Sequence, residues 1–179
     1  MAISEPQPQQ APGSGPWEGY APESERPPLG ARLALSSGFA AAFTAFLVGH
    51  RRSGRQLPER IGARDLALLS AASFKLSRMI AKEKVSAPIR APFTEYQGDA
   101  DAPGEVEESP RGKGLQAAVG ELLTCPYCLG MWVVSALMAG LVTIPRETRL
   151  MASVLSALSL SDFLQAAHRA LVNRETPSP

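Results

Sequence analysis

The sequence predicts an all-α protein: a small integral membrane helical bundle of three to four transmembrane helices behind a disordered N-terminal tail. Three observations carry that expectation. Long stretches hold no charge at all, the longest being the 24 residues from Leu122 to Pro145. Five arginines gather just after the first apolar run. Proline and glycine collect in the N-terminal segment and again between residues 83 and 114. Whole-chain averages hide this pattern. The 179 residues are 45% hydrophobic and 20% charged, with a net charge of +1. A mean hydropathy of -0.04 looks soluble only because unlike segments cancel. The composition excludes collagen-like, disulfide-rich and wholly disordered chains. It also offers no bulk positive charge for a nucleic-acid partner.

Residues 1–30 contain seven Pro and four Gly among Gln, Ser and Glu. Such a stretch buries too little apolar surface to offset its ordering entropy, so a disordered tail is expected. It is not a signal peptide, because it lacks a basic start and the first apolar run begins only at Leu33. Residues 31–63 read as an N-terminal transmembrane helix and a basic loop. Leu33 to Gly49 is 17 residues without a charge, 12 of them hydrophobic. As a helix it reaches roughly 25 Å, a little short of a hydrocarbon core of about 30 Å. A buried helix of a soluble bundle is the alternative, but Ser36, Gly38 and the alanines suit close packing in a membrane. Arg51, Arg52, Arg55, Arg60 and Arg64 follow and read as a cytoplasmic anchor, with the tail outside.

Residues 64–172 form the next unit, before a short tail at 173–179. Leu66 to Phe74 is apolar; Lys75, Arg78 and Lys82 then interrupt. At helical spacing Arg64, Leu68, Ala71, Lys75, Arg78 and Lys82 share one stripe. This helix either lies in the membrane interface or spans with its basic side chains snorkelling. Residues 83–114 hold four Pro and four Gly, and seven acids against four bases, so a long loop is expected. Within it Val85 to Phe93 should run extended, because Pro88 and Pro92 disfavour helix at the residues before them. The uncharged run from Leu122 reaches about 36 Å as one helix. Arg146, Glu147 and Arg149 mark a polar turn. Leu150 to Ser161 is again uncharged, Asp162 breaks the run, and Phe163 to Ala167 resumes it before His168 and Arg169.

The two cysteines, Cys125 and Cys128, stand in the run Thr124-Cys125-Pro126-Tyr127-Cys128-Leu129-Gly130-Met131-Trp132. Pro126 suits the first position of a helix and places Cys125 at its N-cap. There the helix's partial positive charge favours a thiolate. The spacing allows a disulfide, or one soft metal ion shared between chains, or simply two small residues capping and packing a helix. The tetrapeptide also occurs as the active site of glutaredoxins, yet no strand or βαβ pattern accompanies it, so that fold is rejected. A complete zinc site within the chain is not expected, since His50 and His168 lie far away in sequence. Asp162 is the second feature. A carboxylate within an apolar helix is costly unless paired, protonated or wet: either Lys75 and Arg78 are its natural partners, or it sits near the membrane surface and faces water.

Lys75-Leu76-Ser77-Arg78-Met79-Ile80, then Ile89-Arg90-Ala91-Pro92-Phe93, then Cys125-Pro126-Tyr127-Cys128-Leu129-Gly130-Met131-Trp132 occur in that order. Together they resemble the bacterial membrane proteins grouped as domain of unknown function 1360, over roughly residues 64–172. The resemblance implies a bacterial membrane location, no known activity, and a link to sporulation for some members. It also implies that the helix of Leu66 spans the bilayer. The arginines between the first two spans would then face outward, against the positive-inside expectation.

The expected protein is therefore a non-enzymatic, multi-pass component of a bacterial inner membrane. It needs no cofactor, and its partners are the lipid bilayer and other membrane proteins or itself, with the basic stripe and the 83–114 loop presented to them. A membrane thiol-disulfide oxidoreductase, with Cys125 as nucleophile and Cys128 as resolving thiol, is the rival reading. A transporter subunit with Asp162 as its charged site is a third.

Overall fold

The computed structural model describes residues 16–17, 19–22 and 27–175, so most of the expected tail at residues 1–30, and residues 176–179, lie outside the described residues. Within them the chain is a helical bundle with one small hairpin. Its helices are α1 (Leu29–Arg52), α2 (Ala63–Lys82), α3 (Ala87–Arg90), α4 (Leu115–Thr124), α5 (Pro126–Thr143) and α6 (Pro145–Glu175). Strands β1 (Thr94–Asp99) and β2 (Val106–Pro110) pair antiparallel between α3 and α4.

The core is built on α2. Leu69, Ala72 and Ala81 of α2 pack against Leu129, Val133, Leu137 and Leu141 of α5 and against Ala152 and Leu155 of α6. The α5 residues recur at every fourth position, so they form one narrow stripe along that helix. Small residues set the spacing. A Cβ on Gly130 would lie 3.6 Å from the Ser77 hydroxyl of α2, and one on Gly140 only 2.7 Å from Oγ1 of Thr148. That second approach closes the tight α5–α6 corner, where the Ile144 amide donates to the Gly140 carbonyl at 2.8 Å.

Helix directions follow from the contacts. Asp65 meets Arg149, Ser156 donates to the Leu68 carbonyl, and Phe74 stacks on Phe163. Thus α2 and α6 run parallel, with α5 antiparallel between their ends. Helix α1 runs parallel to α5 and touches it lightly, with the Phe39 ring edge-on to Trp132 at 5.1 Å. The loop after α1 and the α5–α6 corner therefore share one end of the bundle. Arg51, Arg52, Arg55, Arg60, Arg64, Arg146 and Arg149 collect there against Glu59, Asp65 and Glu147. The hairpin and α4 cover the opposite end.

Three of the helices, Leu29–Arg52, Pro126–Thr143 and Pro145–Arg174, are long and apolar enough to cross a membrane. Their outer faces agree with that. Leu33, Leu150, Val154, Leu160 and Leu164 are each more than half exposed. In water so much apolar surface would drive association, whereas hydrocarbon solvates it at no such cost. Helix α2 is interrupted by charge and does not meet the same measure, but its 20 residues rise about 30 Å among these neighbours.

The structure corrects several expectations. The long uncharged run is not one helix, because Leu122–Thr124 end α4 and Cys125 adopts extended backbone before α5 begins. Residues 83–114 are not an open loop. Lys84–Ser86 form a 3-10 turn and α3 follows, so Val85 to Phe93 is coiled rather than extended. Pro88 stands in the first turn of α3, where its missing N–H has no helical partner to lose. Beyond it the chain reverses at Ala102-Pro103-Gly104-Glu105, where the Glu105 amide donates to the Ala102 carbonyl at 3.1 Å. Proline followed by glycine suits such a turn, since Gly104 has φ +82°, a conformation that costs glycine little. Helix α4 then presses on the hairpin through Gly120, whose Cβ would strike the Phe93 carbonyl oxygen.

Candidate functional site

The end of α2 presents the last carbonyls of a helix, which no intrahelical amide can satisfy. The following residues supply donors. The Ser86 hydroxyl donates to the Met79 carbonyl. Nη1 of Arg90 donates to the carbonyls of Ile80 at 2.6 Å and Glu83 at 3.1 Å, and to Oγ of Ser86 at 2.7 Å. A cation is well placed there, because the helix C-terminus carries partial negative charge. Arg90 is fully buried, and its remaining donors turn to β2. Nε and Nη2 donate to the two carboxylate oxygens of Glu108 at 2.7 and 3.0 Å. The Thr94 hydroxyl reaches the same carboxylate at 2.9 Å. The Arg90 side chain thus joins the end of α2, the 3-10 turn and β2, while Thr94 of β1 meets the same carboxylate. A two-stranded hairpin is marginal alone, so this attachment is what orders it.

Around that node lies a ladder of ion pairs. Lys75 pairs with Glu83 and, at 2.8 Å, with Oδ2 of Asp162 on α6. Arg78 grips Glu105 through Nη2 at 2.7 Å and Nε at 3.2 Å. Lys82 meets Glu107 at 2.9 Å, and Lys84 meets Asp99 at the same distance. Lys75, Arg78 and Lys82 of the basic stripe are therefore each paired with the chain's own acids. Of the two bases proposed for Asp162, Lys75 reaches it, while Arg78 serves the hairpin.

Sequence reading missed Arg90, Glu83, Glu105 and Glu108 as a unit. A signal was present in the charge count. Residues 83–114 carry seven acids and four bases, an excess of three, and the preceding helix offers Lys75, Arg78 and Lys82. What the count could not supply was the pairing.

Between α2, α6 and the Ala102–Glu105 turn the ladder borders a cleft of about 560 Å³, with Phe74, Arg78, Glu105, Asp162 and Phe163 among its walls. That lies within the roughly 300–1,000 Å³ of small-molecule pockets.

The cysteines lie at the same end of the bundle. Cys125 is the N-cap of α5, and its sulfur accepts the Cys128 amide at 3.2 Å. Both thiols are free, Cys125 half-buried and Cys128 exposed. The contact satisfies one of the orphan amides of the helix start, as an N-cap hydroxyl would. Among the described residues no group of three or more His, Cys, Asp or Glu side chains is placed to hold a metal ion. His50 ends α1 and His168 lies on the exposed side of α6.

Fold and site together define a helical bundle of membrane-spanning character whose one end is closed by an ion-paired β-hairpin cap. The chain belongs to the family described as protein of unknown function (DUF1360), whose model matches residues 68–168. The match begins inside α2 and ends near the end of α6, so α1 lies outside it. The chain is 31% identical over 107 residues to the sporulation protein YjcA of Bacillus subtilis (strain 168), covering 59% of this chain and 91% of that protein. It is 26% identical over 110 residues to the UPF0713 protein YngL of the same organism, covering 61% and 82%. No solved structure matches it.

Two outcomes test the geometry. Burial alone would raise the Glu108 carboxyl, but the hydrogen bonds from Arg90 and Thr94 outweigh it and hold the group below its ordinary value of 4.5. A lowered folded value means stability that is complete above the ordinary value and lost as pH falls through the folded one. Amide protection across Glu95–Asp99, taken relative to the intrinsic exchange rate at each pH, should therefore fall in acid in the native protein. In Glu108→Gln that protection should already be low at neutral pH and vary less with acid.

Lys75 holds two carboxylates, so its loss should cost more than the loss of either. Lys75→Met should lower detergent-state stability by about 3 kcal/mol, as for other buried pairs broken on one side. Asp162→Asn should cost about 1 kcal/mol, because that carboxylate is half exposed and Lys75 keeps Glu83. The double variant should lose less than the sum. Additive losses in reversible unfolding would show that the two side chains do not interact.

Proposed function

We propose that this protein is a non-enzymatic, multi-pass component of a bacterial inner membrane that displays a rigid polar cap to a partner at one membrane surface. The observation that carries the reading is the fastening of the hairpin by Arg90 and its ion-pair ladder. Such a cap has little conformational entropy left to lose when it binds. The three helices long and apolar enough to cross a membrane support the location, and the similarity to a protein named for sporulation supports a sporulation-linked role. In this reading α2 spans with α1, α5 and α6, giving four antiparallel passes.

In this reading the arginines between the first two spans need not face outward. With four passes, the arginine loop after α1 and the α5–α6 corner fall on one side of the membrane. By the positive-inside tendency that side is cytoplasmic, and the acid-rich hairpin lies outside. The outward-facing tail and the inward-facing arginines are then compatible. The thiol-disulfide reading gains no support from the relatives the chain resembles.

Two measurements test the proposal. In a Cys125→Ser, Cys128→Ser background, a cysteine at Gln97 should react with a membrane-impermeant maleimide on intact spheroplasts. One at Ser53 should react only after permeabilisation, and the reverse order would sink the topology. A photo-crosslinking residue at Tyr96, which is well exposed on the hairpin, should give a discrete protein adduct that Arg90→Ala abolishes. An adduct unchanged by loss of Arg90 would mean that the ordered cap is not what the partner recognises.

A further inference from the structure

The cleft beside the cap has a charge arrangement that its internal pairs leave unfinished. Lys75 is shared between Glu83 and Asp162, so two carboxylates face one ammonium. Asp162 remains half exposed even so. Arg78 is matched by Glu105. Arg169, also in the wall, has no carboxylate partner among the described residues, and its Nε only approaches the Gln165 carbonyl at 3.5 Å. The cleft is thus neutral as a whole but divided, with surplus negative charge at Glu83 and Asp162 and surplus positive charge at Arg169. Phe74 and Phe163, with ring centroids 5.7 Å apart, supply its apolar wall.

Depth gives the second constraint, and it rests on the bilayer reading above. Asp162 lies 17 residues beyond Pro145 at the start of α6, a rise of about 26 Å. Measured from the arginine end, that brings it close to the far edge of a hydrocarbon core of about 30 Å. Arg169 lies about 10 Å further along the same helix, at headgroup depth. The apolar wall is therefore at acyl-chain level, and the divided charge is at the level of phosphates and amines.

We infer that this cleft binds the headgroup of a zwitterionic phospholipid bearing a primary ammonium, with its phosphate on Arg169, its ammonium toward Glu83 and Asp162, and an acyl chain against Phe74 and Phe163. A guanidinium forks two donors onto phosphate oxygens. A primary ammonium brings three N–H donors to carboxylates that a quaternary amine could not hydrogen-bond. An anionic headgroup without an amine would satisfy Arg169 and leave the two carboxylates facing its negative charge.

The full-length protein, purified in detergent, is incubated with phosphatidylethanolamine, phosphatidylcholine or phosphatidylglycerol of identical acyl chains, and bound lipid is read by native mass spectrometry. Phosphatidylethanolamine should be retained in preference to the other two. Arg169→Ala should weaken its retention about tenfold, the loss expected for one charge-assisted contact. Arg174→Ala, outside the cleft, should leave it unchanged. Because Arg169 is exposed and unpaired, its replacement should not alter thermal stability in detergent. Equal or stronger retention of phosphatidylglycerol, or retention indifferent to Arg169→Ala, overturns the inference while leaving the bundle in the membrane. A chain that is monodisperse without detergent overturns the bilayer reading instead.

Discussion

A helix that ends inside a protein must find partners for its last carbonyls, and α2 ends beneath the cap. Arg90 meets that demand with one guanidinium, directing Nη1 to the carbonyls of Ile80 and Glu83. Once buried there, the charge requires a counter-ion, because an unpaired buried cation costs several kcal/mol. Glu108 on β2 supplies it in bidentate geometry. The hairpin's position follows from this single requirement. With β2 held, Glu105 and Glu107 come opposite Arg78 and Lys82, and the turn at Gly104 brings its carbonyl to the Lys84 amide at 2.9 Å.

The same constraint organises the bundle below. Helix α2 places its apolar residues against α5 and α6 while its basic residues rise toward the cap. A soluble protein could leave Lys75 in water. Between α2 and α6 that option is restricted, and the side chain is buried against Glu83 and Asp162. Charge inside an otherwise apolar assembly is thus handled by pairing, consistent with the high cost of isolated ions in such surroundings. Helix α1 joins this scheme near its start, where Arg32 pairs with Glu121 of α4 at 2.7 Å. It lies outside the matched family segment, carries no charge between Leu33 and Gly49, and touches α5 mainly through Phe39 and Trp132.

The cysteine pair illustrates how a chemically suggestive motif can serve geometry. Helix α4 ends at Thr124, the chain passes through Cys125 in extended conformation, and α5 starts at Pro126. That break redirects the chain from the cap into the bundle. The Cys125 sulfur satisfies the Cys128 amide at the new helix start.

Much of this protein was legible from its residues one segment at a time. The all-helical class, the apolar spans, the N-cap at Cys125 and the excess of acids between residues 83 and 114 are local properties. Each depends on periodicity, hydropathy or the preferences of proline at a helix start, which act over a few residues. The hairpin, the separate helix α4 ahead of Cys125 and the burial of Arg90 were not legible. Proline and glycine mark both open loops and tight turns, and a run of uncharged residues reads alike whether or not a kink divides it. Only the tertiary structure decided which acid meets which base. Glu83 lies 8 residues from Lys75, whereas Asp162 lies 87 residues away on another helix. Coulomb attraction selects by distance in space, and that distance is set only once α2 and α6 run parallel and their apolar faces close on α5.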